Sequence, residues 1–242
     1  STVKSPNPEE HQAFEYAIRL GKEVDADILV ATDPDADRLG VAARDASGSY
    51  RVLTGNQLGA LMLDYILSQR KDLPDNGMMI KTIVTSELGK TVAEHHGIQS
   101  MDVLTGFKFI SEKIEEYHQS GSHTFMFGYE ESYGYLISDF ARDKDAIQAT
   151  VMASEMAAYY KSLGMTLFDA LEQLYEHHGY YLEDLHSVKK EGISGAEEIT
   201  AIMDQFRESP VKAAGDLQAQ IVEDYASGVR TYLPSGEIEE IE

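Results

Sequence analysis

Apolar positions in this chain switch repeatedly between helical and strand spacing, and the switches divide it into elements. Ala13, Phe14, Ala17, Ile18 and Leu20 recur at helical intervals after Ser5-Pro6-Asn7-Pro8-Glu9-Glu10. There Asn7 can cap, Pro8 suits the first helical position, and two Glu complement the positive end of the dipole. Gly21 predicts the stop. Asp27 to Thr32 reads as a buried strand and Leu39 to Ala43 as a second, and Asp45-Ala46-Ser47-Gly48 turns the chain into a third at Tyr50 to Leu53. From Thr54 the pattern becomes an alternation. Leu58, Leu61, Met62, Tyr65 and Ile66 mark a helix, followed by strands at Met78 to Val84, Ile98 to Leu104 and Thr124 to Gly128. Between these strands lie helices running from Thr85 or Ser86 to His96 and from Phe107 to His118. Two long helices, about Asp145 to Leu163 and Thr166 to His177, close the series at Gly179. Beyond it the pattern predicts a strand at Tyr180 to Val188, a helix at Ala196 to Arg207 and a strand near Ile221 to Tyr225.

Strands alternating with helices of ten to fifteen residues predict an α/β domain with a mixed, mainly parallel sheet and helices on both faces, spanning residues 53–178. Residues 1–52, one helix and three strands, begin in mid-pattern. Residues 179–242 hold too few elements to cover both faces of a sheet. Both read as parts of larger domains. Ligands of such sheets gather at the carboxyl ends of the strands. Three loops fall on that edge: Thr85-Ser86-Glu87, Thr105-Gly106-Phe107-Lys108, and Gly128-Tyr129-Glu130-Glu131-Ser132-Tyr133-Gly134.

Composition narrows the chemistry. The 242 residues, 43% of them hydrophobic, suffice for one large core or two small ones. There is no run of about 18 apolar residues that would span a bilayer, so no membrane partner is expected. The absence of Cys excludes thiol catalysis and thiolate metal sites, and it fits a cytoplasmic location. A formal charge of −22 repels a polyanion, so nucleic acid is not an expected partner. A chain this acidic binds a phosphorylated metabolite only through a metal ion or a local group of cations.

The segment Asp33-Pro34-Asp35-Ala36-Asp37-Arg38 offers such a metal site on the loop leaving a strand. Three carboxylates at alternate positions can point at one spot, and hard oxygen ligands suit Mg²⁺. Arg38 adds a fixed cation suited to a phosphate. An EF-hand loop starting at Asp33 requires Gly at its sixth position and Glu at its twelfth, where Arg38 and Arg44 stand, so that reading fails. A phosphatase of the haloacid-dehalogenase type, with Asp33 as nucleophile, stays open, as does a non-enzymatic sugar-phosphate binding module. The Glu130-Glu131-Ser132 stretch between glycines can exchange hydrogen bonds with vicinal sugar hydroxyls. Lys108 opens a helix, where a cation is locally unfavourable but an anion is welcome. Arg142-Asp143-Lys144-Asp145 reads equally as a salt-bridged capping turn. His95-His96 and His177-His178 precede glycines at helix ends, and favourable dipole interactions explain them without a ligand role.

Taken in order, Ser5 to Glu9, Asp33 to Arg38, Leu53-Thr54-Gly55-Asn56-Gln57, Thr105 to Lys108, Gly128 to Gly134 and Arg142 to Asp145 resemble the motifs of the α-D-phosphohexomutases, in their phosphoglucomutase and phosphopentomutase branch. The resemblance covers essentially the whole chain. It implies the end of domain two at residues 1–52, the sugar-recognition domain three at 53–178 and the start of domain four from 179, with the phosphoserine outside this chain. It further implies an isomerase that interconverts glucose 1-phosphate and glucose 6-phosphate through a phosphoserine and glucose 1,6-bisphosphate. One Mg²⁺ would be held by Asp33, Asp35 and Asp37, weakly in this chain alone. Arg38 and Lys108 would be catalytic, and Thr105, Gly106, Lys108, Glu130, Ser132, Arg142 and Lys144 would bind a phosphorylated hexose. The chain by itself would be inactive, and a pentose substrate remains open.

Overall fold

The computed structural model describes residue 3 and residues 5–183, 190 and 192–241. It forms two compact units, 1–183 and 184–242. In the first, a 3-10 turn at His11–Phe14 leads into α1 (Glu15–Val24) and then into an antiparallel sheet of β1 (Ile28–Thr32), β2 (Leu39–Arg44) and β3 (Tyr50–Val52). Two expectations fail here. Asn7 caps a turn, accepting the Glu9 N–H at 3.0 Å, and the helix starts later. Nor does Gly21 stop it, because α1 continues to Val24 and ends at Asp25, in the left-handed region at φ 56. Gly21 serves close packing instead: a Cβ there would stand 2.6 Å from Leu29 Cδ2.

Thr54 then caps α2 (Gly55–Gln69). Its hydroxyl accepts from the Gln57 amide, and the Gln57 side chain returns to the Thr54 amide. Four strands make the second sheet, in the order β5 (Gln99–Val103), β4 (Gly77–Thr82), β6 (Thr124–Glu130), β7 (Gly134–Leu136). β4 runs parallel to β5 and β6, whereas β7 returns antiparallel to β6. The sheet is therefore mixed and mainly parallel, as the alternation predicts. β7 itself is not predicted: Gly128 to Gly134 reads as a loop, but β6 extends to Glu130 and only Glu131 to Tyr133 turn. Cross-strand pairing of Tyr129 with Tyr135 extends the ladder to the loop tip.

Alternation along the strands sets the two faces. Met79, Phe127 and Tyr129 pack with α2, α3 (Leu88–His95), α5 (Ala146–Ser162) and α6 (Leu167–His178), while Met78 and Ile80 pack with α4 (Phe107–Ser120). Helices thus cover both faces. No helix among the described residues is long and apolar enough to cross a membrane.

The second unit has α7 (Gly192–Glu208), the hairpin β8 (Ala213–Ala214) and β9 (Leu217–Gln218), and the antiparallel sheet β10 (Ile221–Asp224), β11 (Val229–Tyr232), β12 (Glu237–Glu240). Of the strand expected at Tyr180 to Val188, residues 180–183 are irregular, and 184–188 lie outside the described residues.

The N-terminus of α2 supports the turn between β6 and β7 from below. A Cβ at Gly55 would lie 1.9 Å from the Glu131 carbonyl oxygen, so no side chain fits there. Tyr135 Oη donates to the Gly55 carbonyl at 3.2 Å. The Asn56 carboxamide oxygen, buried, accepts the Ser86 N–H at 3.0 Å and fixes the neighbouring loop. Gly55→Ala is expected to cost about 1–3 kcal/mol, the usual range for overpacking against unyielding neighbours. Urea unfolding checks this; a loss below about 0.5 kcal/mol, the ordinary scatter of neutral substitutions, would contradict it.

Candidate functional site

The acidic loop between β1 and β2 is built around Asp33. Its Oδ1 accepts the backbone N–H of Asp37 at 3.1 Å and of Arg38 at 3.0 Å. Ala36, at φ 57, supplies the sharp turn that aims those amides inward. Carboxylate oxygens of Asp33, Asp35 and Asp37 all lie within 4.8 Å of one another, with Asp35 exposed and the others half-buried. Asp37 Oδ1 is buried and has no hydrogen-bond donor among the described residues. An orphaned buried acceptor inside a three-carboxylate cradle fits a hard divalent cation such as Mg²⁺.

Cations surround the cradle. Arg38 hydrogen-bonds Glu9 and stands 3.8 Å from Asp33 and 4.0 Å from Asp37. Lys144 Nζ lies 2.9 Å from Asp37 Oδ2 and 3.4 Å from Asp143. Burial and the neighbouring acid raise Asp33 above its ordinary value. Asp37 is also disfavoured by burial, but its contacts with Asp33 and Lys144 prevail and hold it low. For Lys144, burial works against the charge, and the Asp37, Asp143 and Glu130 carboxylates outweigh it, so its pKa is raised.

The hairpin of β6 and β7 meets this cluster from the other side. Glu130, 6% exposed at the end of β6, faces Lys144, with the Gly106 backbone beside it. Lys144 reaches the carboxylates because residue 134 is Gly: a Cβ there would sit 2.2 Å from Lys144 Cδ and 3.1 Å from Glu130 Oε2. The second acid of the loop has a separate task. Glu131 Oε2 accepts from Thr82 Oγ1 at 3.2 Å and Thr85 Oγ1 at 3.0 Å, and its own N–H returns to Thr85 at 3.1 Å. Main-chain bonds then join the acidic loop to this hairpin and to the start of α5. Leu39 N–H donates to the Tyr133 carbonyl at 2.9 Å, Ala146 N–H to the Ala36 carbonyl at 3.0 Å, and Arg38 bridges Gly134.

The structure brings together Asp33, Asp35, Asp37, Arg38, Gly106, Glu130 and Lys144. Ser132 sits half-buried in the turn of the same hairpin. Thr105 and Lys108 are exposed, with the Lys108 ammonium 4.8 Å from the centre of the Phe109 ring and no ion pair among the described residues. Arg142 turns to Glu115 at 3.3 Å and Asp139 at 4.0 Å, and its carbonyl accepts from Ser111. Asp145 caps α5, accepting from Ile147 and Gln148. Within Arg142 to Asp145, then, only Lys144 enters the cluster. Sequence reasoning missed Glu9 as the partner of Arg38, since a lone Glu in a first turn already has the helix dipole to explain it.

Comparison with known proteins places this geometry. Residues 54–178 match the family Phosphoglucomutase/phosphomannomutase, alpha/beta/alpha domain III, and residues 1–48 match domain II of the same family. The chain belongs to the phosphoglucomutase/phosphomannomutase family. Phosphoglucomutase of Staphylococcus epidermidis is 44% identical over all 242 residues, 100% of this chain and 44% of that protein. Phosphoglucomutase of Staphylococcus aureus is 44% identical over 227 residues, 93% of this chain and 40% of that protein. The chain thus spans less than half the length of these relatives. Among solved structures, the open form of parafusin, a Paramecium phosphoglucomutase, aligns with a TM-score of 0.59 at 19% identity, covering 97% of this chain and 39% of that one. A phosphoglucomutase/phosphomannomutase family protein from Burkholderia thailandensis aligns at 0.52 with 18% identity, covering 70% and 33%. Similarity at that identity establishes the fold. Membership also removes the support for a dehalogenase-type phosphatase; in this phosphohexomutase-family loop, Asp33 Oδ1 is taken up by two backbone amides.

Glu130 allows a test by pH. Burial raises its pKa in the fold, more than Lys144 and Gly106 lower it. A carboxyl with a raised folded pKa contributes stability that is fully present below the unfolded value and lost as pH rises through the folded one. Glu130→Gln keeps an acceptor beside Gly106 and removes the buried charge. The variant's melting temperature is expected to match the wild type near pH 4 and to exceed it at pH 8. A gap that moves the other way with pH would contradict the burial argument.

Proposed function

We propose that the protein containing this chain is a phosphoglucomutase, an isomerase interconverting glucose 1-phosphate and glucose 6-phosphate by way of glucose 1,6-bisphosphate. The observation that carries this reading is the meeting of the carboxylate cradle with Glu130 across Lys144, in a chain 44% identical to curated phosphoglucomutases along its whole length.

In this reading Asp33, Asp35 and Asp37 hold one Mg²⁺, which supplies charge neutralisation for a phosphoryl group in transit. Arg38, fixed by Glu9, binds phosphoryl oxygens beside the cradle. Glu130 and Ser132 take vicinal hydroxyls of the hexose. A bisphosphate must present either phosphate to the same point, so these contacts serve both orientations of the sugar. Gly106 and Thr105 line the approach, with the Gly106 backbone beside Glu130. Residues 179–242 belong, in the same reading, to domain four.

Lys144 takes the electrostatic and proton-handling role that the family resemblance implies for Lys108. Its ammonium stands between the phosphoryl and sugar sides of the cleft, and its raised pKa keeps it charged at neutral pH. A fixed ammonium at that point stabilises the negative charge on the leaving oxygen, donates a proton to it, and takes that proton back on reversal. Lys108, exposed over Phe109, has no such neighbours.

Two measurements on the full-length protein check this reading. In a coupled assay with the 1-phosphates of glucose, mannose and ribose, kcat/KM is expected to favour glucose. Ribose preference would keep the family and overturn the substrate, and no turnover with any of them would revive a binding module. Second, Lys144→Met should lower kcat by roughly 100-fold or more, the usual loss for a general acid, and Lys108→Met by less than about tenfold. The reverse order would return the role to Lys108.

A further inference from the structure

The helices α3 and α6 end in the same words, His95-His96-Gly97 and His177-His178-Gly179, and the fold sets those two ends side by side. A cavity of about 190 Å³ opens between them, lined by His95, His96, His177, His178, Asp64 of α2 and Tyr160 of α5. The imidazoles form a continuous row. Ring centroids are 5.3 Å apart for His96 and His95, 5.1 Å for His95 and His178, and 6.4 Å for His178 and His177. Helix dipoles explain one His near each carboxyl end. They do not explain two doublets converging on one hollow.

The hydrogen bonds of the outer rings settle their protons. His96 Nε2 lies 2.9 Å from Asp64 Oδ1, and His177 Nδ1 lies 2.7 Å from the Gln173 carbonyl. A carboxylate and a carbonyl only accept, so each ring nitrogen there is a donor, and a neutral ring keeps a lone pair on its other nitrogen. A ligand histidine is commonly prepared in this way, with the second nitrogen held by a carboxylate or a backbone oxygen. The inner pair, His95 and His178, has no hydrogen-bond partner among the described residues. Two imidazoles on one ion, with bonds of about 2.0–2.1 Å, hold their ring centres roughly 5 Å apart, close to the observed spacing of the central rings.

We propose that the paired ends of α3 and α6 form a second cation site, for a borderline divalent transition ion such as Zn²⁺, with His95 and His178 as central ligands and His96 or His177 completing the set. Imidazole donors suit Zn²⁺, Ni²⁺ or Cu²⁺ and are poor ligands for Mg²⁺, so the site is chemically separate from the aspartate cradle. Binding needs the rings to turn: among the described residues, only the three aspartates already have their ligand atoms within 4.8 Å of one another. Such turns are open to side chains at a shallow surface site. The negative ends of two helix dipoles add to the attraction for a cation.

The test is a Zn²⁺ titration of the full chain by calorimetry in excess Mg²⁺, which holds the aspartate cradle, with X-ray absorption on the loaded sample. One equivalent of Zn²⁺ with at least two imidazoles in its shell is expected. His95→Ala/His178→Ala should weaken binding at least tenfold, Asp64→Asn by roughly tenfold as a loss of ligand support, and Asp33→Asn/Asp35→Asn should leave it unchanged. No binding, undiminished binding in the histidine variant, or loss in the aspartate variant would overturn the proposal. The wild-type shell is decisive by itself should a variant fail to fold: fewer than two imidazoles overturns it.

Discussion

Two backbone hydrogen bonds hold the site together, and each is accepted by a residue in a conformation that L side chains avoid. Ala36 in the acidic loop has φ 57, and Tyr133 in the loop between β6 and β7 has φ 68. The carbonyl of Ala36 receives the amide of Ala146, and that of Tyr133 receives the amide of Leu39. Each left-handed residue costs about 1–2 kcal/mol. The cross-loop bonds, with the Arg38 to Gly134 bridge beside them, contribute about 1 kcal/mol each and offset much of that strain. Strain of this kind persists only where the surroundings over-determine it, and here the surroundings are the start of α5 for Ala36 and the start of β2 for Tyr133. The result is that two loops from different sheets form one rigid edge.

The placement of charge follows from this edge. Ala146 is the first residue of α5 and Asp145 its cap, so the Ala146 to Ala36 bond brings Lys144 against Asp37. The bridge at Gly134 aligns β7 with the start of β2 and leaves the space through which the Lys144 stem passes to Glu130. Glu131 ties the same hairpin down to Thr82 and Thr85 at the carboxyl end of β4. One acid of the Glu130-Glu131 pair is therefore aimed into the cleft and the other holds the loop still. The neighbouring Arg142 and Lys144 divide in the same way, Arg142 to Glu115 and Asp139, Lys144 to the cluster.

Much of this was legible in the chain because it rests on local rules. Alternating periodicity marks β4, β5 and β6, and carboxylates at every second position after a strand mark the Asp33 to Asp37 loop. What could not be read depends on contacts distant in sequence. β7 is three residues long and exists because β6 offers it an edge. Gly21 resembles a stop signal, and only the approach of Leu29 shows that it is a packing position. Lys108 opens a helix after a glycine and Lys144 stands in a charged turn before a helix, and nothing local tells which of them meets the aspartates. The histidine doublets each had a sufficient local explanation, and only their meeting across α3 and α6 suggests more.

The claim that the two loops form one unit is tested most directly by hydrogen exchange at the amides of Leu39 and Ala146. If the cross-loop bonds carry the site, both amides should exchange as slowly as those of the buried strand β4, through cooperative unfolding and not local opening. Exchange at rates near those of the exposed turn around Gly48 would mean that the loops open independently, and would contradict the account.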